Sequence, residues 1–339
     1  MPVTKLDTQS FLQLQQNGHV VVDVRSPGEY THAHIPGAYS MPLFTDEERK
    51  LVGTAYKQES RETAVKIGLD FYGVKMRGMV EYVEQLLKSD NKGKTILVHC
   101  WRGGMRSGAI AWLLDLYGFE VYTLAGGYKA YRRWVLGQFE KEWKLNVLGG
   151  YAGSGKTELL HRLQEGGEKI IDLEDVAKHK GSAFGKMGQP QPGQEMFENL
   201  LAAKLAMCTG HDRSIWVEDE SQRIGLVNIP GAFWRCMRAA PLYFLDIPFE
   251  KRLEHVVKEY GTITKEDLIN AIVRISKRLG GLETKTAVNC LLENNVPGCF
   301  SILLHYYDKQ YRKALHARED IETVMTTITG NELLASIIR

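Results

Sequence analysis

Two α/β domains in one chain, each built on a parallel sheet, are what this sequence predicts. Three observations lead there. Short runs rich in valine, isoleucine and leucine alternate with longer stretches at helical spacing along the whole chain. Two of those runs end in glycine-rich loops that pass directly into a helical pattern. The 339 residues, 44% hydrophobic and 25% charged, are enough for two cores of ordinary globular composition. The boundary is placed at residue 140, giving domains over 1–140 and 141–339, the second with a helical C-terminal region.

The elements follow in order. His19–Arg25 reads as a buried strand, an apolar valine run closed by a charged pair. The segment from Asp23 to Pro42 has turn chemistry at Pro27-Gly28 and Pro36-Gly37. Residues 45–69 read as one strongly charged helix, solvated on one side, and a further helix spans 76–88. Lys94–Cys100 is a second apolar strand, followed by a loop over 101–107 and the helix Gly108–Gly118. A strand over Glu120–Gly127 and an amphipathic stretch over Tyr128–Phe139 close this half.

The loop from His99 to Ser107 is the first chemical centre. A cysteine at a strand end, with glycines and a helix just after it, lies where backbone N–H groups converge. Arg102 and Arg106 add positive charge. Together these lower a thiol pKa and yield a thiolate nucleophile at Cys100, beside donors suited to an oxyanion.

The second centre opens the other half. Val147 and Leu148 lead into Gly150, Gly155, Lys156 and Thr157, which complete G-x-x-x-x-G-K-[ST], and a helical TELLHRLQ follows. Glycines, Gly153 among them, let the amides of the loop, that of Ser154 included, turn around a phosphate. Lys156 brings a mobile charge, and the Thr157 hydroxyl suits a magnesium ion. This half is therefore expected to bind a phosphate or diphosphate.

Beyond it, Lys169–Gly185 reads as a strand with Asp172 and Glu174 at its end, then a glycine-rich connection. A polar Gly/Pro/Gln loop over 185–194, either a connector or a substrate lid, joins an amphipathic helix. Ser214–Ser221 sets Glu218, Asp219 and Glu220 just past an apolar strand. Glu218 and Asp219 are the candidate magnesium-holding, Walker-B-like residues, and the sequence does not choose between them. Pro241–Pro248 and Phe249–Tyr260 continue the alternation. The stretch 264–295 reads as helices opened by a cap at Thr264 and broken at Gly280-Gly281. Arg274, Lys277 and Arg278 share one helix face, either a solvated face or a lid or RNA contact. Aromatics interleaved with basic residues over His305–Arg318 are compatible with RNA.

Charge is balanced. Residues 1–140 carry 17 Lys and Arg against 15 Asp and Glu, and the remainder 26 against 26, so charge alone predicts no nucleic-acid partner. Five cysteines without a C-x-x-C pair argue against a disulfide framework or a structural zinc site. No apolar run reaches membrane-spanning length and the N-terminus lacks an apolar signal core, so a cytoplasmic protein with no membrane partner is expected, as a monomer.

The Asp23 segment, the Cys100 loop and Leu124–Trp134 together resemble a rhodanese domain over residues 5–137. Read as H-C-x-x-G-x-x-R-[ST], the loop also matches the tyrosine-phosphatase signature. It is one residue longer than the usual sulfurtransferase loop, which favours phosphate, thiophosphate or selenophosphate over thiosulfate. A rhodanese-like domain followed by a P-loop NTPase-like domain, with CWRGG, GSGKTELL, HKGSAFG, QPQP, WVEDES and KRLGG in this order, is similar to the tRNA 2-selenouridine synthase family over almost the whole chain. The resemblance implies a transferase acting on the wobble uridine of the tRNAs for lysine, glutamate and glutamine. Its co-substrates would be geranyl diphosphate, which S-geranylates 2-thiouridine, and selenophosphate, whose selenium displaces the S-geranyl group. Cys100 would be the catalytic cysteine, carrying selenium as an adduct or assisting direct delivery. Without the resemblance, two other readings stay open: a cysteine phosphatase or sulfurtransferase fused to a P-loop kinase, and a nucleotide- and RNA-binding module.

Overall fold

A computed structural model describes residues 3–90, 93–180, 185, 190–208, 214–261, 263–318 and 321–328. The chain divides into two compact units, one of residues 1–138 with 198–203, the other of 139–197 with 204–339.

The first unit holds five strands: β1 (Thr4–Leu6), β2 (Val20–Asp23), β3 (Tyr39–Ser40), β4 (Thr95–His99) and β5 (Glu120–Leu124). They form one parallel sheet in the order β1-β5-β4-β2-β3. Parallel strands joined by crossovers are covered on both faces, so β2 and β4 need no alternation of polar and apolar residues. Val20, Val21 and Val22 are buried, as are Ile96, Leu97 and Val98. Each such side chain contributes roughly 1.5–3 kcal/mol. The helix Thr8–Gln16, capped by Asp7 at the Ser10 amide (2.8 Å), and the short β1 had no distinct signal in the sequence.

The single helix expected over 45–69 is two, Asp46–Gln58 and Arg61–Gly73. Glu59 leaves helical geometry, and the Ser60 side chain accepts from the Thr63 amide (3.0 Å), starting a new helix.

The second unit contains β6 (Leu145–Gly150), β7 (Lys169–Ile171), β8 (Ile215–Glu218), the two-residue antiparallel pair β9 (Arg223–Ile224) and β10 (Val227–Asn228), β11 (Leu242–Leu245) and β12 (Met325–Ile328). Its main sheet is parallel, in the order β12-β11-β6-β8-β7. β6 and β8 are neighbours with Leu148 level with Glu218, so the acidic strand end lies beside the loop that follows β6. The helices Phe249–Tyr260, Lys265–Leu279, Gly281–Leu292 and Val296–His316 share a core of Val256, Leu268, Ile272, Leu291, Phe300, Leu303 and Leu304. Arg252, buried, bonds Asp308 through both terminal nitrogens (2.9 and 2.7 Å) and clamps two of these helices.

Candidate active site: two glycine-rich anion loops

Each unit places a glycine-rich loop at the C-terminal end of the middle strand of its sheet. In the first unit β4 ends at His99, Cys100 follows, and the helix Met105–Tyr117 begins five residues later. Cys100 is buried, with its sulfur 3.3 Å from the Ser107 hydroxyl. Burial pushes the thiol up, but hydrogen bonds from the Ser107 side chain and from the amides of Ser107, Gly104 and Arg102 outweigh it. The pKa ends below its ordinary value.

The sequence reading credits converging amides and two arginines together; the amides do lower the pKa, and the charges stand differently. Arg106 donates to Glu29 Oε2 at 2.7 Å, while Glu29 also accepts from the Ser26 amide and pairs with Arg49 at 2.9 Å. Arg102 is exposed at the rim and contributes its amide. Burial lowers the His99 pKa and holds the ring neutral, so it supplies no cation either. Dipoles, the least salt-sensitive means available, stabilise this thiolate. Ser107 is the functional residue the sequence reading passed over. Its place at the end of the phosphatase-like signature was the available signal.

Two facing glycines set the loop's shape. Gly127 (φ +57°) lies so close to the loop that a Cβ there would sit 2.4 Å from the Cys100 carbonyl oxygen. A Cβ on Gly103 (φ +63°) would lie 2.3 Å from the Leu124 carbonyl oxygen. The Tyr128 and Lys129 amides donate to the carbonyls of Cys100 and Trp101 (2.8 and 3.0 Å), lacing the two segments together.

In the second unit β6 ends at Gly150 and the helix Lys156–Glu165 starts beyond the loop. Lys156 Nζ donates to the carbonyls of Gly150 (2.9 Å) and Tyr151 (3.4 Å), which folds it back over the loop. The Ser154 hydroxyl is buried without a partner among the described residues. A Cβ on Gly153 (φ +76°) would meet Val256 Cγ2 at 2.6 Å and the Arg252 carbonyl at 2.8 Å, so this glycine lets the loop rest on the helix Phe249–Tyr260.

The acidic candidates separate. Asp219 accepts from the Tyr311 hydroxyl (2.7 Å) and pairs with Arg318, and Tyr311 in turn accepts from the Gly150 amide (3.2 Å). Asp219 thus braces the loop. Glu218 hydrogen-bonds Thr157, and its other oxygen, Oε1, is buried without a partner among the described residues. Oxygens of Glu174, Glu218 and Glu220 all lie within 4.8 Å of one another. Burial first, then repulsion from neighbouring carboxylates (Glu220 and Glu218 at Glu174, Asp172 at Glu218, Glu218 at Glu220), raises the proton affinity of all three, and the Lys156 charge opposes it. A hard oxygen donor set with an orphaned carboxylate oxygen beside the Thr157 hydroxyl fits a magnesium ion. Glu174 belongs to a short helix, Leu173–Ala177, instead of extending the strand, and Asp172 caps it by accepting from the Asp175 amide (2.7 Å).

These residues line a cavity of about 1840 Å³ in the second unit. Arg274, Lys277 and Arg278 are all exposed on the helix Lys265–Leu279, and of the three Arg278 also lines the cavity. In the polar loop over 185–194, residues 186–189 lie outside the described residues, as do 181–184 before it. Gln191, within that loop, donates to the Ala177 and Ile224 carbonyls and accepts from the Leu226 amide. Among the described residues no helix is long and apolar enough to cross a membrane.

Comparison with known proteins agrees with both halves. A rhodanese-like domain model matches residues 7–133, and the model of the tRNA 2-selenouridine synthase AAA domain matches 143–334. Among relatives, the tRNA 2-selenouridine synthase of Psychromonas ingrahamii is 32% identical over 88% of this chain and 89% of its own. That of a Sulfurovum species is 34% identical over 90% and 91%, and that of Hydrogenovibrio crunogenus 37% identical over 77% and 76%. A cysteine loop and a phosphate loop on successive α/β units, matched by these enzymes over 77–90% of the chain, place it in the tRNA 2-selenouridine synthase family of tRNA-modifying transferases.

Proposed function

We propose that this transferase converts 2-thiouridine at the wobble position of the tRNAs for lysine, glutamate and glutamine into 2-selenouridine, with geranyl diphosphate and selenophosphate as co-substrates. The observation that supports the reading is the pair of glycine-rich loops, one holding a thiol of lowered pKa and one holding a lysine beside acidic residues.

The first step is assigned to the loop Gly150–Thr157. The thiouridine sulfur attacks C1 of geranyl diphosphate, the C–O bond breaks, and pyrophosphate leaves. The base gives up its N3 proton as the S–C bond forms. Loop amides and Lys156 take up the charge on the departing diphosphate. Thr157 and Glu218 would hold a magnesium ion, which when bound adds further neutralising charge. No nucleotide hydrolysis is needed.

The second step is assigned to the Cys100 loop. Selenium carried on the Cys100 sulfur as a selenenyl adduct would leave phosphorus as phosphite, reduced by two electrons. Attack at carbon avoids this. The Cys100 thiolate adds to C2 of the S-geranyl base and expels geranylthiol, which leaves with a proton. The selenium of selenophosphate then displaces Cys100, and hydrolysis of the P–Se bond releases phosphate and 2-selenouridine. Loop amides suit the phosphoryl oxygens. The test is mass analysis of the wobble nucleoside from 2-thiouridine tRNA incubated with the protein and both co-substrates, each omitted in turn. Selenouridine formed without geranyl diphosphate, or ATP consumed in proportion to geranylation, would refute the scheme.

A further inference from the structure

The rim of the Cys100 loop carries groups that the chemistry at the sulfur leaves unused. Cys100 is buried, yet Trp101, the next residue, is 38% exposed. A single exposed aromatic needs no explanation by itself, and Trp112, 53% exposed on the helix Met105–Tyr117, is of that ordinary kind. Trp101 differs in being held. Its carbonyl accepts from the Lys129 amide (3.0 Å), and its ring lies 5.8 Å from that of Tyr128, tilted by 34°. Tyr128 is itself fixed: fully buried, it accepts from Asn199 Nδ2 at 2.8 Å and has the Arg25 guanidinium 3.8 Å from its ring centre. The indole is a backed plate with a free surface towards water, so it loses little conformational entropy when another ring stacks on it.

Cations surround the plate. Arg102, Lys129 and Arg133 are exposed, and among the described residues none of them pairs with a carboxylate, in contrast to Arg106 on Glu29. Arg133 lies back over the turn that faces the loop. Its Nη2 would stand 3.7 Å from a Cβ on Gly126, and the Gly126 amide nitrogen lies 3.1 Å from the Cβ position of Gly103. A fixed aromatic ring with free cations around it is how proteins hold single-stranded nucleic acid, stacking on a base and neutralising its phosphates. A peptide would call for a strand edge or an apolar groove, and a small anion has no π face to lay on an indole.

We propose that Trp101 is a stacking platform for a base of the unpaired anticodon loop, the immediate neighbour of the wobble uridine, with Arg102, Lys129 and Arg133 on the flanking phosphates. The assignment rests on the reading above that the wobble base reacts at Cys100. A thiolate adds to C2 through the face of the reacting ring, so that face stays clear and the plate falls to the adjoining base. Trp101 adjoins Cys100 in the chain as the two bases adjoin in the strand.

Fluorescence anisotropy with the full chain and an anticodon stem-loop RNA, 2-thiouridine at its wobble position, tests it. Trp101→Ala should weaken binding at least about fivefold, and Trp101→Phe, which keeps a π face, should restore most of the loss. An abasic site on one side of the wobble position should cost the unmodified protein a similar factor and cost Trp101→Ala nothing further. Lys129→Ala and Arg133→Ala should each lower the log–log salt slope by about 0.7, the single-strand value. Alkylation of Cys100 by iodoacetamide should keep its rate in Trp101→Ala, and Trp112→Ala should bind as the unmodified protein does. The abasic RNAs decide on the unmodified protein even if Trp101→Ala does not fold: no loss at either neighbour would overturn the platform and leave the tRNA reading standing. Equal losses in Trp101→Ala and Trp112→Ala would overturn its location. A stem-loop neither bound nor modified by the unmodified protein would overturn the wobble-uridine reading, and the platform with it.

Discussion

The two loops solve the same geometric problem with opposite charges. Both leave the middle strand of a five-stranded parallel sheet, both turn on glycines of positive φ, and both feed a helix. Around Cys100 the cationic side chain that the signature supplies, Arg106, is held by Glu29, and neutral dipoles are left to face the sulfur. Around Lys156 three carboxyls crowd the site and one lysine faces them. A thiolate needs stabilisation without being neutralised, because a fully paired sulfur is a poor nucleophile. A departing diphosphate needs the reverse, full charges close at hand.

The sharpest way to break that comparison is to disable one loop at a time. Lys156→Ala should lower geranylation by about 10²–10³-fold, the loss typical of one transition-state charge partner, and spare selenation of pre-geranylated tRNA. Cys100→Ala should spare geranylation and abolish selenation. Nucleoside mass analysis reads both steps, and joint loss in either variant would show one merged site.

Next in size is Gly127→Ala. Its methyl would fall 2.4 Å from the Cys100 carbonyl at a φ of +57°, so a loss of about 3 kcal/mol in urea denaturation is expected, together with loss of selenation. Ser107→Ala is milder. It removes the strongest of the hydrogen bonds that lower the thiol pKa, so the inflection in the pH profile of iodoacetamide alkylation should move upward. Since a lowered pKa keeps the thiolate to lower pH, the unmodified protein should react faster than the variant on the acidic side of that inflection. An unchanged profile would mean the amides act alone. The smallest effect belongs to Lys277→Ala, on the exposed face of its helix. If that face meets a tRNA backbone, binding should weaken modestly and the log–log salt slope should fall by about one.

How much of this was legible beforehand differs between the loops and their surroundings. Both loops are contiguous in sequence, so residue type and spacing carried them. The acidic site is not contiguous. Glu174 reaches Glu218 and Glu220 because β7 lies beside β8, a pairing that no local pattern encodes. One clue was available: side chains alternate along a strand, so Glu218 and Glu220 share a side and Asp219 takes the other, where Tyr311 and Arg318 meet it. The break at Glu59 was hidden because a helical charge pattern runs through it. Ser60 with Thr63 was its only local trace. The fold class and domain character of both halves were readable from alternation and loops.

Tyr311 closes a short circuit between a late helix and the phosphate loop: one phenol accepts a hydrogen bond from the Gly150 amide and donates one to Asp219, which Arg318 holds from the same C-terminal stretch. The posture of the loop is therefore written partly by residues some 160 positions downstream. Loosening that helix, by heat or by a proline within it, should release a bound anion before the sheet melts, so that ligand affinity reports on the helix as a fuse would on its line.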